Sequence, residues 1–356
     1  MRPALQLINP MQVTDTTIAP ARQPRRLLCL FSALIFTFTA VLAHAQDYTS
    51  IVIFGDSLSD TGNVAYLAQH KYGVRIPGPS ADYTDGRFTD GDDTIPAARE
   101  YFGVWIEQFA ATLPSKPIIL DSLDGGTNYA YGFAFTGNGT SVLTLGSASV
   151  FVNINNIGQQ ITDYLATHPV INDRTLFVVW GGANDLLNAT SADDVFKAGI
   201  NQVTNIQRLI DAGATQFIIP NLPPLGSIPR LNVSPTDSVA ATAASVLFNQ
   251  ILRTGVDVLH DFNFGKHLDF VQLDVFALFN RIIASPSRYS LTDVTTSSQG
   301  IPTVDPDTYL FWDDLHPTTR GHNILATTLA GMIAGQHCSA RVEAECASVT
   351  AGASGH

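Results

Sequence analysis

Charge is scarce in this chain of 356 residues. Asp, Glu, Lys and Arg together make up 14%, and 19 basic residues face 31 acidic ones. No basic stripe runs through it, and binding a phosphate backbone needs clustered Lys and Arg, so nucleic acid is not an expected partner. Phosphate-cradling loops are missing as well: no GxxxxGK[ST] occurs, and no GxGxxG follows a strand pattern. The acidic run Asp82, Asp85, Asp90, Asp92, Asp93 does not have the spacing of a twelve-residue calcium loop and reads as a solvated loop. Cysteine is nearly absent, with three in all, and none has a His–Asn arrangement beside it that would make it a nucleophile.

Long apolar runs are confined to one place. Arg22, Arg25 and Arg26 precede "LLCLFSALIFTFTAVLA", and "AHA" follows before Gln46. A basic flank, an apolar segment and a small-x-small site form the secretory pattern, so residues 1–45 are expected to be a signal peptide cut after Ala45. A retained anchor is the alternative, because the run is near the lower length limit for spanning a bilayer. Cleavage would remove four basic residues, one acidic residue and Cys29, leaving Cys338 and Cys346. Outside the cytoplasm these two are expected to form a disulfide in a tail over 338–356. The expected location is extracellular or periplasmic.

From Ser50 onward, short apolar runs alternate with helical patterns. Strand candidates are Ser50–Phe54, Thr127–Tyr131, Leu176–Trp180, Gln216–Pro220 and Leu268–Leu273. Helix candidates are Ala98–Thr112, Gly158–Thr167, Ala192–Asp211, Asp237–Asp261 and Thr318–Ala334. Several strands are apolar throughout, which suits a sheet covered on both faces. The pattern predicts one α/β domain over 46–337, a flavodoxin-like three-layer α/β/α sandwich on a mainly parallel five-stranded sheet. Gln69–Pro96 and Ser285–Tyr309 fit no regular element and read as long functional loops.

In such sheets, sites form beyond the carboxyl ends of the strands. The residues there are Gly55-Asp56-Ser57, Gly132, Gly181-Gly182-Ala183-Asn184-Asp185 and Asn221. Ser57 needs a base, and the base needs an orienting group. His316, in "YLFWDDLHPTTRGH", has Pro317 after it and Asp313 three residues before it. At that spacing a compact turn can bring the carboxylate back to the imidazole and fix its tautomer; an N-capping Asp beside a surface His is the plainer alternative. The other histidines of the domain read as surface or structural. Ser57 N–H, Gly132 N–H and the Asn184 amide stand where oxyanion donors would be needed, and none of them titrates.

Four blocks in order, "FGDSLSDTGN", Gly132 in "NYAYGFA", "GGAND" and "FWDDLHPT", resemble the GDSL esterase/lipase family, the SGNH hydrolases. The first block resembles the branch holding bacterial phospholipase or lecithinase-haemolysin types and plant lipases. "DGRFTDG" at Asp85–Gly91 also resembles a "GRFSNG" stretch of larger members. The resemblance implies Ser57 as nucleophile, His316 as base and Asp313 as its orienter, with Ser57, Gly132 and Asn184 forming the oxyanion hole. It implies an acyl-enzyme route on small-molecule or lipid esters, with no metal or organic cofactor and with transient contact with a lipid surface. Acyl transfer or phospholipase action is the alternative within the family. Two departures stand out: Gly132-Phe133-Ala134 where relatives often have "GGA", and an extra "DDTIPAAREY" after the "GRFTDG" loop. The nucleophile is not in a GxSxG elbow. "GDSLSD" also reads as a GDxxD metal motif of a phosphoesterase, and an inactive secreted binding protein is a further rival.

Overall fold

The structure is a computed structural model that describes residues 48–91, 101–145, 150–172 and 174–335. The expected signal peptide, the Cys338–Cys346 pair with its tail, Asp92, Asp93 and nearly all of the "DDTIPAAREY" insertion lie outside the described residues. Among the described residues no helix is long and apolar enough to cross a membrane.

Four parallel strands form the sheet: β1 (Ser50–Gly55), then, after a hairpin of β2 (Thr140–Leu145) and β3 (Val150–Asn155), β4 (Thr175–Trp180), β5 (Gln216–Pro220) and β6 (Asp269–Leu273). Their order across the sheet is β1-β4-β5-β6. The fifth expected strand, Thr127–Tyr131, does run along the free edge of β1. Ile53 N–H donates to Thr127 C=O (3.1 Å), Tyr129 N–H to Ile53 C=O (2.8 Å) and Tyr131 N–H to Gly55 C=O (3.2 Å). It stops short of a regular ladder because Gly55 N–H goes to Gln160 Oε1 instead (2.9 Å).

The helices are α1 (Asn63–Tyr72), α2 (Trp105–Thr112), α3 (Ile157–Thr167), α4 (Ala183–Leu187), α5 (Ala192–Asp211), α6 (Pro235–Phe262), α7 (Val275–Ala284) and α8 (319–335). Two contacts of β4 show that both faces are covered. Phe177 meets Tyr164 of α3, and Trp180, three residues on and so on the opposite face, meets Trp105 of α2 edge-on. This burial from both sides is why β1 and β4 carry almost no polar residue, and every residue of β4 is buried. The three layers expected from the alternation are present.

Several elements differ from expectation. The helix expected from Ala98 begins at Trp105, since Val104 is extended and its N–H is taken by the Glu107 carboxylate (3.0 Å). Residues 285–309 are not all loop: β7 (Asp293–Ser297) pairs in parallel with β8 (Tyr309–Phe311), the strand that leads into Asp313 and His316. α1, α7 and the β2–β3 hairpin were not foreseen.

Candidate active site

β1 delivers Ser57. A side chain at Gly55 would bring its Cβ within 2.7 Å of the Trp180 carbonyl, so only glycine lets β1 and β4 close at this edge. The chain then turns tightly: the Asp56 carbonyl accepts Ser59 N–H and Asp60 N–H (3.0 Å each), and Asp56 Oδ1 accepts Leu58 N–H (3.1 Å). Ser57 N–H is left without a partner in this turn. Asp56 holds the turn and makes no bond to His316. Burial pushes its carboxyl up to about 7.

The histidine arrives on a return from β8. Trp312 N–H donates to the His316 carbonyl (2.8 Å), and Thr318 N–H to that of Leu310 (3.0 Å). Within this turn Asp313 Oδ1 accepts the backbone N–H groups of Leu315 (2.7 Å) and His316 (2.6 Å). Its Oδ2 lies 2.7 Å from His316 Nδ1, and His316 Nε2 lies 2.9 Å from Ser57 Oγ. With Nδ1–H donating to the carboxylate, Nε2 is the acceptor for the serine hydroxyl. All three residues are buried. Burial alone would raise the Asp313 carboxyl, but the neighbouring His316 charge and the hydrogen bonds it accepts hold it well below the usual carboxylate range. Asp313 is not the N-cap of α8, because Thr318 Oγ1 accepts Gly321 N–H there (3.0 Å). The plainer reading of the Asp-x-x-His spacing therefore fails.

Asn184 sits in the first turn of α4. Its Nδ2 donates to the Ala134 carbonyl (3.0 Å), which fixes the amide and leaves its second N–H free. It lines the same cavity as Ser57 and His316.

Gly132 departs from expectation. Its N–H donates to Asp60 Oδ2 (2.8 Å) and is not available to an oxyanion. Asp60 is fully enclosed and also accepts the N–H groups of Gly62, Asn63 and Val64, capping α1 while drawing in the Gly132 loop. Burial raises its carboxyl to about 6 despite those donors. Position 132 is glycine for another reason: a Cβ there would lie 2.4 Å from the Phe88 ring.

The next amide is the one left open. Ala134 N–H binds the Tyr131 carbonyl, Phe135 N–H binds Asn156 Oδ1 and Thr136 N–H binds Asp185 Oδ2, whereas Phe133 N–H has no partner among the described residues. Phe133 takes a left-handed φ of 67°, costly for a residue with a Cβ. Its ring packs on Phe88 (5.6 Å), which in turn packs on His316 (5.1 Å), and the following carbonyl holds Asn184. The one hint in the sequence was the "GFA" departure from the "GGA" of the family it resembles.

One cavity joins the reacting groups. Its empty volume is about 530 Å³, counting the part open to solvent. Beyond Asp56, Ser57, Asn184 and His316, every lining side chain is apolar, with Trp180, Leu225, Val275, Phe279, Phe311 and Leu325 forming much of the wall. Among the described residues no group of three or more His, Cys, Asp or Glu is placed to hold a metal ion. Asp60, the second carboxylate of the GDxxD reading, has both oxygens engaged by backbone amides. The remaining expected-structural histidine of note, His322, is fully buried in α8, where its Nδ1 accepts Trp105 N–H (3.2 Å).

Residues 51–329 match the family model described as GDSL-like lipase/acylhydrolase. A GDSL esterase/lipase of Arabidopsis thaliana is 27% identical, the match covering 77% of this chain and 84% of that protein. The phosphatidylcholine-sterol acyltransferase of Aeromonas hydrophila is 25% identical, with 87% and 97% covered. A solved structure of a lipolytic G-D-S-L family protein from Veillonella parvula is 13% identical, with 78% and 94% covered and a TM-score of 0.36.

Proposed function

The chain belongs to the GDSL-like lipase/acylhydrolase family and is a carboxylic-ester hydrolase, and we propose that it works through an acyl-enzyme on Ser57. The observation that carries this reading is the unbroken line from Ser57 Oγ to His316 Nε2 (2.9 Å) and from His316 Nδ1 to Asp313 Oδ2 (2.7 Å).

Ser57 Oγ attacks the ester carbonyl carbon as His316 Nε2 takes its proton. Asp313 keeps the ring in the right tautomer and offsets the imidazolium charge. The oxyanion accepts from Ser57 N–H, from the free N–H of the Asn184 amide and from Phe133 N–H, which replaces Gly132 in this role. Collapse breaks the bond to the alcohol oxygen, and that oxygen takes the proton from His316. Water then attacks the acyl-Ser57 ester with His316 again as base, releasing the carboxylic acid and restoring the serine.

The apolar wall beside Ser57 supports an aliphatic acyl group as the half that stays on the enzyme. A p-nitrophenyl ester series from C2 to C16, run with Ser57→Ala as control, tests this. Turnover that peaks above C2 and disappears in the variant is expected, and equal turnover in the variant would refute the serine route. Similarity to the Aeromonas acyltransferase favours a second reading, transfer of the acyl group to an alcohol. Added alcohol should then divert product from acid to new ester.

The leader pattern before Gln46 supports export, with action on small-molecule or lipid esters outside the cytoplasm and transient contact with a lipid surface. An N-terminal sequence beginning at Gln46 in the exported protein is expected.

A further inference from the structure

The loop from Tyr83 through "DGRFTDG" has no part in the chemistry described above, yet it grips the histidine turn at four points. Tyr83 O–H donates to Asp313 Oδ2 (2.8 Å). The Phe88 ring lies 5.1 Å from that of His316. Thr89 Oγ1 donates to the Pro317 carbonyl (3.1 Å), and Thr319 N–H donates to Asp90 Oδ1 (2.5 Å). The loop is stiffened from within by Thr84 N–H to the Thr89 carbonyl (3.0 Å), Gly91 N–H to that of Asp82 (2.7 Å) and Thr84 Oγ1 to that of Asp90 (2.6 Å). Tyr83 itself stands edge-on against Trp312, with ring centres 6.0 Å apart.

We propose that Tyr83 is a positioning residue of the reaction, whose hydroxyl fixes the Asp313 carboxylate so that Oδ2 faces His316 Nδ1. Asp313 Oδ1 is already held by two backbone N–H groups, so rotation of the carboxylate is resisted on that side. Among the described residues Oδ2 has two partners, the imidazole that must gain and lose a proton and the Tyr83 hydroxyl that stays put. Burial and the neighbouring Asp313 charge push the phenol well above its ordinary range, so it remains a donor at every working pH. By sharing the negative charge, the phenol also weakens the hold of Asp313 on the protonated imidazole. The other charged or titratable groups facing this pair are Asp56 from the end of β1, His322 from α8, and Asp314 with its partner Arg230 (2.7 Å). Tyr83→Phe leaves all of them in place.

The inference rests on the ester-hydrolase reading, so the test separates the two. Full-length Tyr83→Phe keeps the ring and its Trp312 contact. With p-nitrophenyl butyrate, kcat should fall on the order of tenfold while KM changes less than about twofold, the mark of an interaction that matters in the transition state. The acid limb of the kcat/KM profile should move to higher pH, because the imidazolium is held more tightly once the phenol no longer shares the carboxylate. In an Asp313→Ala background the same change should cost less than about twofold, since the partner through which it acts is gone. The proton between His316 Nδ1 and Asp313 should shift downfield in the NMR spectrum of Tyr83→Phe, whether or not any ester is turned over. Unchanged kcat, an equal loss in both backgrounds, or an unmoved proton signal would each overturn the role of Tyr83. Turnover that survives Ser57→Ala would instead sink the Ser57 acyl-enzyme reading, with the proton signal still deciding on Tyr83.

Discussion

Asn184→Ala separates the chemistry of the oxyanion from the architecture around it. The side chain does two things: one N–H ties the Ala134 carbonyl at 3.0 Å, and the other is free toward the cavity shared with Ser57 and His316. Losing the first leaves a carbonyl unpaired, at a cost of roughly 1–3 kcal/mol in stability. For a chain of this size that is a fall in Tm of several degrees. Losing the second removes a donor aimed at charge that exists only in the transition state, worth about 10²–10³ in kcat. The two losses report in different assays. Calorimetry gives the first, and steady-state turnover of p-nitrophenyl esters gives the second, with KM nearly constant. Asn184→Asp sharpens the test, because a carboxylate cannot donate and repels the oxyanion, so it should be slower still. A loss of less than about tenfold in Asn184→Ala, or an Asp variant faster than the Ala variant, would refute the assignment.

Phe133→Gly keeps the amide and relieves the left-handed backbone at φ 67°, so kcat should stay within about threefold of wild type. Gly132→Ala drives a methyl to within 2.4 Å of Phe88, whose ring packs on His316; it should cost about 1–3 kcal/mol in stability and lower activity as well. Wild-type stability and activity in Gly132→Ala would contradict that close packing. His322 gives a pH test of stability. Burial, with a smaller effect of His316, depresses its imidazole from 6.5 to about 3, so below pH 6.5 the unfolded chain takes up a proton that the fold refuses. Stability is therefore fully present above pH 6.5 and is lost as pH falls toward 3, by about 1.4 kcal/mol per unit and roughly 5 kcal/mol in all. Asp56 and Asp60, raised to about 7 and about 6, act with the opposite sign, but they cancel in the difference between wild type and His322→Gln. Urea unfolding of both proteins from pH 4 to 7 measures that difference, and a pH-independent difference would contradict the burial of a neutral imidazole.

The parts of the site that were legible in the chain are those built from local spacing. An apolar run stopping at Gly-Asp-Ser and a His three residues after an Asp are each short enough for the backbone to settle, although the Asp-x-x-His spacing alone left an N-capping Asp equally open. What was not legible depends on direction or distance. Nothing in "NYAYGFA" says that Gly132 N–H turns to a carboxylate 72 residues earlier, or that the free amide belongs to Phe133. Tyr83 lies 230 residues from Asp313, and only the folded loop joins them. β7, with the sequence "DVTTS", carries no apolar alternation, because it is a short strand paired only with β8, away from the main sheet.

The central claim is that Ser57 carries the acyl group between two half-reactions. It is tested most directly by mixing the enzyme with excess p-nitrophenyl butyrate, quenching in acid within milliseconds and mapping the adduct by mass spectrometry. A butyryl group on the peptide bearing Ser57, formed in a burst and absent from Ser57→Ala, is the predicted result. Steady turnover with no adduct at any time, or an adduct on a different residue that persists in Ser57→Ala, would contradict it.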